Sequence, residues 1–157
     1  MTNDNNKIFS KATLAAGRFW LVQSVLEGKK GIIDSVTGYT GGDFENPTHE
    51  DVSTGKTGHA EAVQVLFDPA QISYRELLEI FWLLHDPTSP NRQGKDTGPQ
   101  YRSAIFFHGE NQRKEAKLSK QRFNDSLVFD GKAVTEIKPA GTFYRAEEHH
   151  QHYVRKN

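Results

Sequence analysis

The chain has 157 residues, 20 basic and 20 acidic side chains, and no cysteine. That length suits one domain with one core, and the balanced charge gives no reason to expect nucleic acid or a membrane surface as partner. The missing thiols exclude disulfides, thiolate metal sites and thiol catalysis. No apolar run approaches membrane-spanning length, and the polar start MTNDNNKIFSK lacks the apolar core of a signal peptide. The expectation is one cytoplasmic, monomeric domain over 1–157, with 1–10 as a loose arm and with no cofactor or metal.

In chain order, KATLAA (11–16) reads as a strand and FWLVQSVLEG (19–28) as a helix, joined by Gly17 and Arg18. A permanent cation at a helix N-terminus is unusual, because that end of the dipole favours negative charge. GIIDSVTGY (31–39) reads as a strand. The segment 40–58 is rich in Gly, Thr, Asn, Asp, Pro and Ser and reads as a long loop, a kind that in compact domains is usually functional or disordered. HAEAVQVLFD (59–68) alternates like a strand. SYRELLEIFWLLHD (73–86) carries a Ser73–Glu76 capping box and an apolar face of Leu77, Leu78, Phe81 and Leu84, and Pro87 stops it. A second loop covers 87–100, a strand 101–108, a polar helix 110–125 and a last strand 132–138, while the tail 147–157 has no clear period. Intermixed strands and helices predict an α+β two-layer domain with a mixed sheet.

Three places stand out: 17–20, 38–58 and 86–101. Loops on a rigid scaffold commonly carry binding residues, so convergence on one pocket is expected. Phe19 and Trp20, adjacent on a helix, cannot share a face; one is free to line a cavity unless both belong to the core. Tyr39 and Tyr101 sit at strand ends, where a phenol offers a donor on an apolar body or simply packs. Asp51 and Asp96 lie in the loops, where aspartates most often close Asx turns. His59 and Glu61 share a strand face, readable as an acid–base pair or, more commonly, as a solvated face. HHQH (149–152) is weak as a metal signal. The spacing of a phosphate loop, a Ser-His-Asp order and zinc spacings are absent.

Taken together, GRFW, GYTGG, NPTHEDVSTGKTGHAEAV, LLEIFWLLHDPTSPNRQGKDTGPQYRSAIF and AEEHHQHY, running from about Ala12 to Tyr153, resemble the type A peptide methionine sulfoxide reductases. The resemblance implies an α+β two-layer sandwich, a mixed β-sheet with flanking helices around a ferredoxin-like core. It implies reduction of methionine-S-sulfoxide, free or in oxidised proteins, as protein repair under oxidative stress. In the family a thiolate in Gly-Cys-Phe-Trp attacks the sulfoxide sulfur and becomes a sulfenic acid, which a second thiol or thioredoxin resolves. Here Arg18 stands in the nucleophile's place, Ser53 falls in VSTG where the family has VCSG, and Gln23 replaces a common Glu. By the same resemblance Phe19 and Trp20 wall the substrate methyl, Tyr39 and Tyr101 bond the sulfoxide oxygen, Asp96 lies near the substrate backbone, and Asp51 replaces the Glu that protonates the oxygen.

The implied function is recognition of methionine-S-sulfoxide with impaired or absent reduction, Arg18 holding the oxygen or a carboxylate, and with no role for thioredoxin. Alternatives are an altered reductase that Arg18→Cys would revive, and a scaffold repurposed for another anion or a protein partner. Ser53 and Ser103 offer no substitute, because a hydroxyl has no counterpart to the sulfenic acid.

Overall fold

The computed structural model describes residues 8–157. The expected arm at 1–10 falls mostly outside them. Six strands form one sheet: β1 (Ser10–Ala16), β2 (Ile32–Thr40), β3 (Ala60–Phe67), β6 (Ser103–Phe107), β7 (Glu136–Pro139) and β8 (Tyr144–Arg145), in the spatial order β7-β6-β1-β3-β2-β8. The pairs β6–β1, β1–β3, β3–β2 and β2–β8 are antiparallel, and β6–β7 is parallel. The one parallel pair needs a crossover, which α4 (Glu110–Ser126) supplies. With α1 (Phe19–Leu26) and α3 (Tyr74–Leu83), the order β1-α1-β2-β3-α3-β6 is the ferredoxin-like βαββαβ unit. The fold is the expected α+β arrangement of a mixed sheet with flanking helices.

The main core lies between the sheet and the helices. Leu14, Val63, Val65 and Ile105 from the strands meet Phe19, Leu26, Leu77, Leu78 and Phe81 from the helices, all buried. Each such side chain contributes about 1.5–3 kcal/mol relative to exposure. On the opposite face Ala15, Ala60, Ala62, Ala104 and Phe106 pack with Ala140 and Phe143. Small residues there let the chain cross close: a Cβ on Gly38 would stand 2.5 Å from the Phe143 ring.

Helix α3 starts as its sequence predicts. The Glu76 N–H donates to Ser73 Oγ at 3.0 Å, and the Ser73 N–H donates to Glu76 Oε1 at 3.1 Å. Both long loops hold structure the sequence reading missed. Within 40–58 lies α2 (His49–Ser53), closed by its own capping box between Thr48 and Asp51. Five residues are too few to show a helical period. Within 87–100, β4 (Arg92–Gln93) pairs with β5 (Asp96–Thr97), followed by a 3₁₀ turn at Pro99–Tyr101. After β8, the tail holds a 3₁₀ turn at Glu148–His150 and then α5 (Tyr153–Lys156).

Candidate functional site

The turn from β1 into α1 centres the site. Gly17 has φ +88°, and a Cβ there would stand 2.8 Å from Gln93 Cγ, so this corner fits only glycine without strain. Arg18 is the N-cap of α1 in extended conformation and gives its helix no side-chain cap. The first turn of α1 carries no acidic residue either. The cap comes from elsewhere: the Phe19 N–H donates to Glu61 Oε1 on β3 at 3.2 Å. Glu61 is 2 % exposed, so the expectation of a solvated face at His59 and Glu61 is corrected. His59 is buried as well, and it holds the 40–58 segment by accepting from the Gly42 N–H at 3.1 Å and pairing with the Phe44 carbonyl at 2.6 Å.

The Arg18 guanidinium closes on Asp96 through two bonds, Nε to Oδ2 at 3.2 Å and Nη2 to Oδ1 at 2.8 Å. This contact, ahead of the opposing effect of burial, raises the arginine's pKa further. Arg18 Cζ also stands 5.1 Å from the centre of the Trp20 ring. The pair therefore links the β4–β5 hairpin to the start of α1, beside a cleft of about 190 Å³ lined by Leu21, Val25 and His85. Asp96 and Arg18 satisfy each other, so the expectation that Arg18 holds an incoming oxygen or carboxylate meets a guanidinium already engaged.

Phe19 and Tyr39 are buried, with ring centres 5.7 Å apart. The Tyr39 hydroxyl donates to Glu147 Oε1 at 2.8 Å. Burial first, and then this carboxylate, push its pKa upward. The other oxygen of Glu147 accepts from the His49 N–H at 2.9 Å. Burial works against the Glu147 charge, yet these bonds hold its pKa below the ordinary value. Trp20, half-buried, donates from Nε1 to His150 Nδ1 at 3.0 Å and stacks on Tyr153 with ring centres 3.8 Å apart. Burial, then the neighbouring His49 and His149, lower the His150 pKa to about 4, which keeps Nδ1 an acceptor. Tyr101 is half-buried within the field of Glu61, Arg18 and Asp96, and burial raises its pKa.

The Asp51 carboxylate accepts from the Thr48 N–H at 2.9 Å as half of the capping box. A side chain committed to its own helix is an Asx-type answer, and the carboxylate that meets α1 is Glu61. The sequence pointed to neither His49 nor Glu147, and to His150 only within HHQH as a weak metal signal. Their signal was present only as types, in THED and EEHH. Gln23 is fully buried and structural: it donates to the Ser35 carbonyl at 3.0 Å and accepts from the His152 N–H at 2.7 Å. Ser53 is exposed and bonds its own helix at the His49 carbonyl, 2.8 Å. Ser103 is buried between His85 and Thr135 at 2.7 Å from each. Among the described residues no group of three His, Asp or Glu side chains is arranged to hold a metal, and no helix is long and apolar enough to cross a membrane.

The site is thus a buried floor of Phe19, Tyr39 and Glu61 under a half-exposed rim of Arg18, Trp20, His49, Asp96 and Tyr101. Comparison with known proteins matches residues 10–157 to the family model for peptide methionine sulfoxide reductase. A peptide methionine sulfoxide reductase MsrA of Methanothermobacter thermautotrophicus is 52 % identical over 149 residues, 95 % of this chain and 88 % of the relative. The structure of methionine sulfoxide reductase A from Corynebacterium diphtheriae superposes with a TM-score of 0.90 at 35 % identity, covering 95 % of this chain and 75 % of that one. Mxr1 of Saccharomyces cerevisiae, solved in complex with Trx2, gives a TM-score of 0.66 at 29 % identity over 98 % of this chain and 89 % of that one. With a family model spanning nearly the whole chain and a relative more than half identical, the chain belongs to the peptide methionine sulfoxide reductase family.

Proposed function

We propose that this chain recognises methionine-S-sulfoxide, free or in an oxidised protein segment, and does not reduce it. The carrying observation is Arg18 at the turn into α1, in a chain with no cysteine. Resemblance to the family puts the attacking thiolate at that position. A guanidinium is protonated at every accessible pH and has no lone pair to donate to sulfur. Ser53 and Ser103 are alcohols held in local hydrogen bonds. Without a thiol there is no sulfenic acid to resolve, so thioredoxin has no role here.

Recognition rests on what surrounds the turn. Phe19 and Trp20 provide the apolar wall for a methyl group. Tyr101 offers a phenol at the rim, whereas the Tyr39 hydroxyl is engaged by Glu147. Asp51, in the acid position by the resemblance, sits in the capping box of α2, and Glu61 lies under the turn as a carboxylate accepting from the Phe19 N–H. Asp96 is available to a substrate backbone only if Arg18 releases it.

The anionic-ligand reading is weaker. The carboxylates of Asp96, Glu61 and Glu147 outnumber the cations Arg18 and His49, and the Phe19 N–H that would greet an anion already bonds Glu61. A neutral sulfoxide meets no such charge penalty. The test is an NMR titration of the unmodified protein with the S and R epimers of N-acetyl-methionine sulfoxide amide. Saturable shifts at Trp20 and Tyr101 with the S epimer alone are expected; equal response to both epimers, or none, would overturn the reading.

A further inference from the structure

His49 is anchored by its backbone while its ring lacks a close hydrogen-bond partner. Its backbone N–H is fixed on Glu147, and its ring lies 4.4 Å from the His150 ring, 6.3 Å from Phe19 and 6.5 Å from Tyr39, centre to centre. The imidazole is therefore held in place on several sides. Yet Nε2 stands 3.6 Å from Glu61 Oε2, an ion-pair distance too long for a direct hydrogen bond. The side chain is 33 % exposed, above a Glu61 that is 2 % exposed. The ring N–H on this side is thus not closed in a direct hydrogen bond, and the exposed edge of the imidazole leaves it open to an incoming oxygen acceptor.

We propose that His49 is a ligand-contacting residue whose imidazolium donates to the sulfoxide oxygen, so that recognition weakens as pH rises and His49 loses its proton. The inference rests on the sulfoxide-binding reading above. A sulfoxide oxygen only accepts, and a charged donor serves it better than a neutral one. Neutral imidazole keeps one N–H, but it carries a lone pair on the other nitrogen and has lost its charge.

The surroundings favour the proton on His49. Glu61 on β3 is the largest influence and raises its pKa, with Glu147 from the C-terminal segment adding to it; burial and Arg18 at the α1 turn oppose. His150, packed on the same ring, stays neutral above about pH 4, and the Tyr39 phenol does not ionise in the working range. Neither competes for the proton. Stability follows the same sign: with a raised pKa, the His49–Glu61 attraction is fully present below the ordinary histidine value and is lost as pH rises through the folded one.

The experiment repeats the titration with N-acetyl-methionine-S-sulfoxide amide at about pH 6 and about pH 8.5, on either side of the histidine range, for the native chain and His49→Gln. Gln keeps a donor and cannot titrate. The native Kd should weaken about tenfold between the two conditions, the difference between a charge-assisted and a neutral bond. The variant should bind about equally at both. The ring signals of His49 in the native protein give a second reading: their titration midpoint should lie above the ordinary value of about 6.5 and rise again with ligand. Native binding that is indifferent to pH, or a pH dependence that survives in His49→Gln, overturns the role of His49 and leaves the sulfoxide reading standing. Absence of binding at both pH values overturns the two together.

Discussion

Two helix starts in this molecule solve the same problem differently. The first turn of any helix leaves backbone N–H groups without partners. Helix α3 answers locally, with Ser73 and Glu76 three residues apart exchanging bonds at 3.0 and 3.1 Å. Helix α1 has no cap of its own; Arg18 occupies the cap position, and its Phe19 N–H reaches a carboxylate 42 residues away in sequence, on β3. A cap supplied from another strand ties the turn to the sheet and buries a charge beside it. That is a poor way to stabilise a helix and a good way to build a polar site.

Cutting each cap tests that contrast. Glu61→Ala removes the partner of a buried N–H and strips His49 of its counter-charge, and should cost about 2 kcal/mol of unfolding free energy. Ser73→Ala removes an exposed local cap and should cost about 1 kcal/mol. Urea denaturation of the two variants ranks them; a smaller loss at Glu61 than at Ser73 would mean the distant cap carries no structural load. Arg18→Ala should change stability least, by well under about 1 kcal/mol, because the Asp96 pair is partly solvent-screened, with side chains 38 % and 27 % exposed. A large loss there would make Arg18 a structural staple of the β4–β5 hairpin.

The same contrast explains what could be read in advance. The α3 cap, its apolar face and the order of the main strands are local patterns, and the sequence displays them directly. Arg18, Phe19, Trp20, Asp96 and Tyr101 are brought together at one turn, and their motifs were visible through family resemblance. Glu61 looked like any polar residue on a strand, because burial of its face depends on α1 packing above it. His49 and Glu147 lie 98 residues apart and meet only through β8 and the tail that follows it. Asp51 read as a loop carboxylate for the opposite reason: the helix whose capping box it closes is too short to show its period.

Equilibrium dialysis of the protein against N-acetyl-methionine-S-sulfoxide amide in the presence of a dithiol, with the retained ligand recovered and its mass measured, tests the central claim most directly. The account predicts ligand retained by the protein and recovered unchanged as the sulfoxide. Recovery of the thioether, one oxygen lighter and in more than stoichiometric amount, would contradict it.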